Sequence, residues 1–212
     1  MIKVVGIAYR DWAIKIYREL KKKNINIKIF KSKKIDYRKI KSINPDYILF
    51  YGWSSKVPAY LVKKFKCIML HPSKLPNFAG GSPLQNQIIR NVKKSGITLF
   101  RMNSKIDRGK IIYQSSLSLN GNLKTIFSRI VIKGINLTLK MLKNYKEKNN
   151  KVNKIYKRRL PYQSEITLNE LKNKSGIYLF NKIRMLQDPY PNPFIKTKDK
   201  KKLIIKKVIL KE

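Results

Sequence analysis

The stretch Lys3–Tyr9, which reads KVVGIAY, decides the fold of this chain. It is a nearly all-apolar run rich in β-branched residues, which is typical of a strand buried on both faces in a parallel sheet. The residues that follow, 11–23 (DWAIKIYRELKKK), carry Trp12, Ile16 and Leu20 at four-residue spacing. This spacing predicts an amphipathic helix. Together the two stretches predict a strand followed by a helix.

The same alternation continues along the chain. Residues 25–30 and 46–53 (DYILFYGW) predict two more strands, Pro58 opens a short helix (PAYLVKKF), and CIMLH at 67–71 predicts a fourth strand. Strands that alternate with helices favour right-handed βαβ units. We therefore predict an α/β fold with a Rossmann-like, open and mostly parallel sheet. In such sheets, ligands bind beyond the carboxyl ends of the strands.

The second half of the chain changes in composition. Ser82 is predicted to cap a helix at 83–93 with Gln85 closing a capping box, followed by strands at 95–103 and 111–119 and a long helix at 122–146. Apolar content then drops, and Asn and Lys dominate up to residue 159, which predicts a solvated linker. We divide the chain into a main domain (1–148), a basic linker (149–163) and a small α+β C-terminal subdomain (164–212), with a helix near 175–186 and a hairpin around 198–202.

The charge of the chain allows two interpretations. Its 212 residues include 50 Lys and Arg against 11 Asp and Glu, for a net charge of +39. That value is compatible with a nucleic-acid or anionic-membrane partner. However, 40 of the 50 cations are lysines spread over the whole chain, whereas nucleic-acid binders concentrate basic residues and use arginine for bidentate contacts. We favour an AT-rich coding bias as the cause.

Several classes of protein are disfavoured. No apolar run approaches the roughly 20 residues of a membrane span, and the opening MIKVVGIAYR lacks the apolar region of a signal peptide, so we expect a cytoplasmic protein without a membrane partner. The turn GIAYRDWA lacks the G-x-G-x-x-G fingerprint of nicotinamide dinucleotide sites. One cysteine and one histidine do not make a zinc ligand set, so we expect no metal. Cys67 is interpreted as a small buried hydrophobic residue.

The densest group of unusual residues is the segment 70–86, LHPSKLPNFAGGSPLQN, which holds His71, three prolines and a Gly-Gly pair. Prolines fix φ and glycines reach positive φ, so this loop is expected to have one defined shape at the end of a strand. Asp107 follows in the turn KIDRGKII between two predicted strands. The two side chains are candidates for acid–base chemistry. The alternatives are a loop histidine with satisfied hydrogen bonds and a turn aspartate that caps its own backbone.

These segments resemble the folate-dependent formyltransferases, which include methionyl-tRNA formyltransferase, glycinamide ribonucleotide formyltransferase and the nucleotide-sugar N-formyltransferases. The family signature is Asn-x-His, Pro-Ser-x-Leu-Pro, an aromatic residue and Gly, and a later Asp-x-Gly. Here residues 71–80 read HPSKLPNFAG and 107–109 read DRG. DYILFYGWSSKVP, RRLPYQSEI and NKIRMLQDPYPNPF also match in order, so the resemblance spans nearly the whole chain. It implies the formyltransferase fold and N10-formyltetrahydrofolate as formyl donor.

The resemblance also implies roles for individual residues. His71 would donate a hydrogen bond to the oxyanion formed on the formyl group, and Asp107 would orient a water or relay protons. Contacts to the pterin, mainly by backbone groups, would come from two segments, namely Ser54, Ser55 and Val57, and Asn103, Ser104 and Lys105.

The chain departs from the signature at one position. Two residues before His71, where the family carries Asn, stands Met69, and a thioether cannot donate as an amide does. Either another donor takes over, or the enzyme is slow or inactive. Asn86, in the first turn of the following helix, is the candidate substitute, and the alternative is that it is a helix-surface residue.

The acceptor of the formyl group is open. The 49 residues after the predicted linker are too few for the full C-terminal β-barrel of the tRNA enzymes. The resemblance therefore favours an amino-sugar nucleotide, feeding a surface polysaccharide or lipopolysaccharide pathway, with a homodimer formed through C-terminal elements. Methionyl-tRNA is the alternative, which the charge of +39 would serve by counterion release. A third hypothesis is a catalytically impaired folate- or nucleotide-binding protein. Arg158 and Arg159 either grip a nucleotide diphosphate or belong to an exposed basic linker.

Overall fold

Strands and helices alternate through the first half of the chain. The structure is a computed structural model that describes residues 1–211. The elements up to residue 101 are β1 (Val4–Ala8), α1 (Asp11–Lys22), β2 (Ile27–Lys31), α2 (Tyr37–Ile43), β3 (Tyr47–Tyr51), α3 (Ala59–Lys64), β4 (Lys66–His71), β5 (Ala79–Gly80), α4 (Pro83–Ile88) and β6 (Lys94–Arg101). They are followed by β7 (Ile111–Ser118), α5 (Leu123–Lys143), β8 (Ile155–Tyr156), a 3₁₀ turn (Pro161–Ser164), α6 (Leu168–Asn173), α7 (Gly176–Arg184), β9 (Phe194–Lys196) and β10 (Lys202–Ile204).

Six strands form the central sheet, in the order β2-β1-β3-β4-β6-β7. β1 pairs in parallel with β2 and with β3, and β3 pairs in parallel with β4. β6 runs antiparallel to both β4 and β7. All five residues of β1 and all five of β3 are buried, as expected for strands covered on both faces. The predicted open, mostly parallel α/β sheet is confirmed.

Helices cover the two faces of the sheet. On one face, α1 and α5 pack against alternate strand residues such as Leu49 and Leu70. On the other face, α2 and α3 supply Ile40 and Leu61 against Ile48 and the remaining alternate residues. Two apolar layers thus enclose the sheet.

Tyr17 of α1 links the helix to the sheet backbone. Its hydroxyl donates to the carbonyl oxygen of Leu49 (2.7 Å) and accepts from the N–H of Tyr51 (2.8 Å). Its ring lies 2.7 Å from where a Cβ at position 6 would be. Gly6 in the opening strand is therefore required by this close approach.

The C-terminal segment packs onto the main domain through α7. Met185 and Leu186 belong to the same apolar cluster as α1 and α5. The buried guanidinium of Arg184 donates to the carbonyl oxygens of Leu119 (2.8 Å) and Gly121 (2.9 Å). The predicted helix and hairpin are both present, the hairpin as β9 antiparallel to β10. The domain boundary at residue 164 stays a prediction.

Two local predictions around Ser82 are wrong. Ser82 adopts a left-handed φ of +50° and makes no side-chain capping bond. Its hydroxyl instead accepts from the backbone N–H of Arg159 at 3.1 Å, so a distant segment has displaced the local cap. The following helix ends at Ile88 rather than at residue 93, because Asn91 takes a left-handed φ of +57° and turns the chain into β6.

The predicted linker is exposed over most of its length, but part of it packs against the main domain. Residues 150–159, which we call the crossing segment, lie against the main domain. Val152 is 3% exposed within an apolar cluster, and β8 pairs in parallel with β5, placing Tyr156 opposite Gly80. Val152 and Tyr156 each meet a specific partner, which the polar composition of the segment did not indicate.

Candidate active site

The carboxyl ends of β1, β3 and β4 open into a cavity of about 650 Å³. This is the edge at which open α/β sheets bind ligands, and the volume is in the range of small-molecule sites. Its walls include residues 52–57, 69–72, 80–85, 102–107 and 155–159. The crossing segment therefore forms part of the cavity itself.

His71 and Asp107 meet in the wall of this cavity. Nδ1 of His71 lies 3.5 Å from Oδ2 of Asp107, and the two side chains are only 7% and 12% exposed. Oδ2 of Asp107 also accepts from the N–H of Gly80 at 2.7 Å. Nε2 of His71 lies 3.0 Å from the carbonyl oxygen of Phe78. Because a carbonyl only accepts, Nε2 carries a hydrogen in this arrangement and Nδ1 faces the carboxylate.

The loop after His71 has one shape because buried hydrogen bonds hold it. The hydroxyl of Thr98 donates to the carbonyl oxygen of Ser73 (2.7 Å) and accepts from the N–H of Leu75 (3.0 Å). Phe78 takes a left-handed φ of +53°, and its carbonyl oxygen is the acceptor at His71. The proline-rich loop thus holds the imidazole at Nε2 through Phe78 and, through the N–H of Gly80, holds the carboxylate that faces Nδ1.

All six predicted pterin-contact residues line the same cavity: Ser54, Ser55, Val57, Asn103, Ser104 and Lys105. The hydroxyls of Ser54 and Tyr9 are hydrogen-bonded to each other. Oδ1 of Asn103 accepts from the N–H of Lys105 at 3.0 Å, so that turn is preformed. The two segments are brought together with His71 and Asp107, and their role in holding folate stays a prediction.

Met69 lines the cavity, whereas Asn86 is not among the residues that form its wall. The Nδ2 group of Asn86 donates to the carbonyl oxygens of Gly81 (2.8 Å) and Lys157 (3.3 Å). Its Oδ1 accepts from Arg90 at 3.1 Å. Both amide hydrogens are engaged with backbone, so the geometry does not support Asn86 as a substitute donor to the formyl group. It links the end of the loop after His71, at Gly81, to Lys157 of the crossing segment instead.

A cation that the sequence analysis did not single out also lines the cavity. The guanidinium of Arg10 lies over the rings of Tyr9 (5.2 Å) and Tyr190 (5.4 Å). Arg158 belongs to the same wall, and its Nη2 donates to the carbonyl oxygen of Ser54 at 2.7 Å. Burial raises the pKa of the Tyr190 phenol, while the positive charges of Arg10 and Arg158 act in the opposite direction. Arg10, Arg158 and Tyr190 all line the same cavity.

Within residues 1–211, neither Arg10 nor Arg158 forms an ion pair with an acidic side chain. Two guanidinium groups without a counter-charge can bind an anion in a bidentate manner. The sequence signal for Arg10 was its place directly after a buried strand, at the carboxyl edge of the sheet. Its contact with the ring of Tyr190, which lies 180 residues further along the chain, is visible only in the structure.

Arg159 has a different environment from its neighbour. Its guanidinium donates to the carbonyl oxygen of Leu160 (3.0 Å) and to the hydroxyl of Ser164, and burial lowers its pKa. Arg159 thus stabilises the 3₁₀ turn that follows the crossing segment, and only Arg158 retains the anion-binding alternative.

Other reactive groups are few. In the part of the chain that the structure describes, no three His, Cys, Asp or Glu side chains come close enough to hold a metal ion. Burial raises the pKa of the Cys67 thiol to about 12, which makes it a poor nucleophile. No helix among residues 1–211 has the length and apolar character needed to cross a membrane.

Comparison with known proteins agrees with this geometry. A family profile described as formyl transferase matches residues 11–125. Methionyl-tRNA formyltransferase from Clostridium thermocellum is 32% identical over all of this chain and 94% of its own, with a TM-score of 0.91. A likely sugar N-formyltransferase from Mycobacterium tuberculosis has the same fold, with a TM-score of 0.81 at 18% identity, covering 100% of this chain and 99% of its own.

The curated relatives are longer proteins. Methionyl-tRNA formyltransferase from Ehrlichia chaffeensis is 28% identical over 86% of this chain and 61% of its own length. The enzyme of the same name from Ehrlichia canis is 31% identical over 57% of this chain and 42% of its own length. The chain thus spans about half the length of these two relatives.

Proposed function

Because this chain belongs to the formyl transferase family, we propose that it transfers a formyl group from N10-formyltetrahydrofolate to the amine of an amino-sugar nucleotide. The observation that carries the choice of acceptor is the pair of Arg10 and Arg158 in the wall of the cavity that also holds His71. Guanidinium groups bind phosphate through paired hydrogen bonds. The pair fits an acceptor whose phosphates lie within reach of its amine.

The cavity fits the chemistry of a folate-type donor. Val57, Met69, Phe100 and Met102 give it an apolar wall, and the turns at 54–55 and 103–105 border this wall with polar backbone groups. A mostly apolar pocket with a few placed polar groups is typical of cofactor sites. When bound, N10-formyltetrahydrofolate supplies an activated formyl group. Residues 54–57 and 103–105 would hold it.

In the transfer, the acceptor nitrogen forms a bond to the formyl carbon, the bond from that carbon to N10 breaks, and one proton passes from the amine to N10. The Nε2 hydrogen of His71 is engaged by the carbonyl of Phe78, so Nδ1 is the ring nitrogen left to take part in the reaction, as an acceptor of the amine proton. The carboxylate oxygen of Asp107 that faces Nδ1 is Oδ2, which also accepts a hydrogen bond from the N–H of Gly80. The other carboxylate oxygen is left for the amine or a water. His71 and Asp107 would thus handle the proton at the Nδ1 edge.

Met69 limits the rate in this arrangement. Loss of one donor to a developing oxyanion typically lowers turnover by about 10²-fold or more. Asn86 is engaged elsewhere, so we propose a slow enzyme rather than one with a relocated donor.

The test is direct formylation. Purified protein is incubated with N10-formyltetrahydrofolate and a panel of 3-amino and 4-amino sugar nucleotides, and the products are identified by mass gain. Arg10→Ala and Arg158→Ala are expected to raise the acceptor KM about 10-fold. The formyl-donor KM should change less, because Arg158 contacts the donor-holding segment only at the carbonyl oxygen of Ser54. Arg38→Ala, an exposed arginine on α2, is the matched control. Formylation of none of these acceptors, or an acceptor KM unchanged in both variants, refutes the proposal.

Methionyl-tRNA is a second candidate acceptor, favoured by the names of the relatives and by the net charge of +39. A tRNA acceptor predicts a KM that rises steeply with salt, whereas a sugar nucleotide predicts a shallow dependence. A catalytically impaired protein would bind a folate analogue and formylate neither class of acceptor.

A further inference from the structure

Asn150, the first residue of the crossing segment, holds the backbone of the Asp107 turn. Its Nδ2 donates to the carbonyl oxygen of Asp107 at 2.7 Å and to that of Gly109 at 3.1 Å. An antiparallel bridge sets this position, because Ile111 and Lys148 exchange backbone hydrogen bonds of 2.9 and 2.8 Å. Continuing that register brings residue 150 opposite residue 109.

The turn that Asn150 holds has little freedom. Asp107 adopts a left-handed φ of +48°, which is uncommon for a residue with a side chain. Gly109 is buried, and a Cβ there would lie 1.8 Å from the carbonyl oxygen of Arg101. The direction of the Asp107 carboxylate toward His71 therefore depends on a backbone shape that local preference does not favour.

The orientation of the Asn150 amide follows from its neighbours. If the amide were flipped, its oxygen would face two carbonyl oxygens, so the nitrogen must point toward the turn. Oδ1 is buried and has no partner among residues 1–211. A buried polar atom without a partner is unfavourable, so an apolar side chain would avoid this penalty at position 150. The presence of asparagine is explained by its two donated bonds.

We propose that Asn150 is a positioning residue for formyl transfer. Through the backbone of residues 107–109, it fixes the Asp107 carboxylate against Nδ1 of His71. This inference rests on the proposed function, since it assigns a role within the same site. Asn150 does not line the cavity and would act only through the turn.

The test compares Asn150→Ala and Asn150→Asp with Asn149→Ala, an exposed neighbour. Turnover is normalised to active sites titrated with a folate analogue, which removes any effect of a misfolded fraction. We expect kcat to fall at least 10-fold in both Asn150 variants, with each KM within twofold of the unsubstituted protein and no change in the control. A kcat per site within twofold in the Asn150 variants, or an equal loss in Asn149→Ala, overturns the inference.

A pH series adds a readout that a purely structural role would not change. The introduced carboxylate of Asn150→Asp cannot donate, but its protonated form can. The kcat of Asn150→Asp relative to the unsubstituted protein should therefore rise as the pH is lowered, while the ratio for Asn150→Ala stays flat. Parallel profiles for the two variants contradict the donor role.

Hydrogen exchange separates this inference from the function itself. If the unsubstituted protein formylates no acceptor, the proposed function fails. Exchange at the amides of residues 107–109 can still be measured in that case. Faster exchange in Asn150→Ala than in Asn149→Ala supports the positioning role, and equal exchange in the two variants refutes it.

Discussion

Replacing Gly81 by alanine is expected to push the crossing segment away from the loop that follows His71. An added Cβ would lie 2.5 Å from Cα of Arg158 and 2.6 Å from its Cβ and backbone nitrogen. Carbon atoms in contact lie about 3.5–4.0 Å apart, so the segment must retreat by about 1 Å. The bond from the N–H of Gly81 to the carbonyl oxygen of Tyr156 (2.8 Å) would lengthen accordingly.

Both stability and acceptor binding should respond. Overpacking of this kind destabilises by about 1–3 kcal/mol, which for a chain of this size corresponds to a fall in Tm of about 2–12 °C. Arg158 would also lose its contact with Ser54 and its place in the wall. The acceptor would then lose its hydrogen bond to the Arg158 guanidinium, and a bond to a charged group contributes about 1.5–3 kcal/mol. The acceptor KM should therefore rise about 10-fold or more. The formyl-donor KM should change much less.

The assay measures Tm by calorimetry and both KM values by initial rates. Gly176→Ala is the matched control, because the nearest atom to its added Cβ is Cδ1 of Leu210 at 3.1 Å, the end of a flexible side chain. If Gly81→Ala has the same Tm as Gly176→Ala and an unchanged acceptor KM, the crossing segment does not contact the acceptor and the reasoning fails.

Three further predictions follow from other contacts. Met69→Asn should raise kcat by about 10-fold or more by restoring a donor beside His71, and an unchanged kcat would contradict a rate limit at this position. Tyr17→Phe should lower the free energy of unfolding by about 1–3 kcal/mol in urea titrations, since the buried N–H of Tyr51 loses its acceptor, and a value near zero would contradict this. Burial raises the pKa of Glu170, but hydrogen bonds from Lys182 and from the backbone outweigh it and lower the pKa below its ordinary 4.5. Its contribution to stability is therefore full above about pH 4.5 and is lost as the pH falls through the lowered pKa. Glu170→Gln should flatten that acid-side decline in Tm, and an unaltered decline would contradict the assignment.

The sheet and the fixed loop after His71 could be predicted because their signals are local. An apolar run such as Val4–Ala8 predicts its own burial, and the prolines and glycines after His71 predict a loop of one defined shape. Asp107 is a different case, because β6 runs antiparallel to β4 and its carboxyl end lies beside Ile68 rather than His71. The pairing of Asp107 with His71 follows from the family resemblance and not from the placement of strand ends.

The errors concern residues whose environment comes from distant partners. Ser82 does not cap the following helix, because its hydroxyl accepts a hydrogen bond from the N–H of Arg159. Part of the polar crossing segment is packed because Val152 and Tyr156 each meet one partner. Asn150 is an ordinary polar residue in the sequence. Its role becomes visible only when the Asp107 turn lies beside it.

The path of the crossing segment limits how the protein can be shortened. A truncation after residue 148 would keep the sequence of every strand of the central sheet. It would remove the amide that supports Asp107, the ring stacked on Phe78 and the guanidinium of Arg158. Such a fragment would lack one wall of the cavity and the packing of Met185 and Leu186 in the main core. Fusion tags or inserted sequences are better placed at the exposed tip of the β9–β10 hairpin, near Lys200, which does not line the cavity.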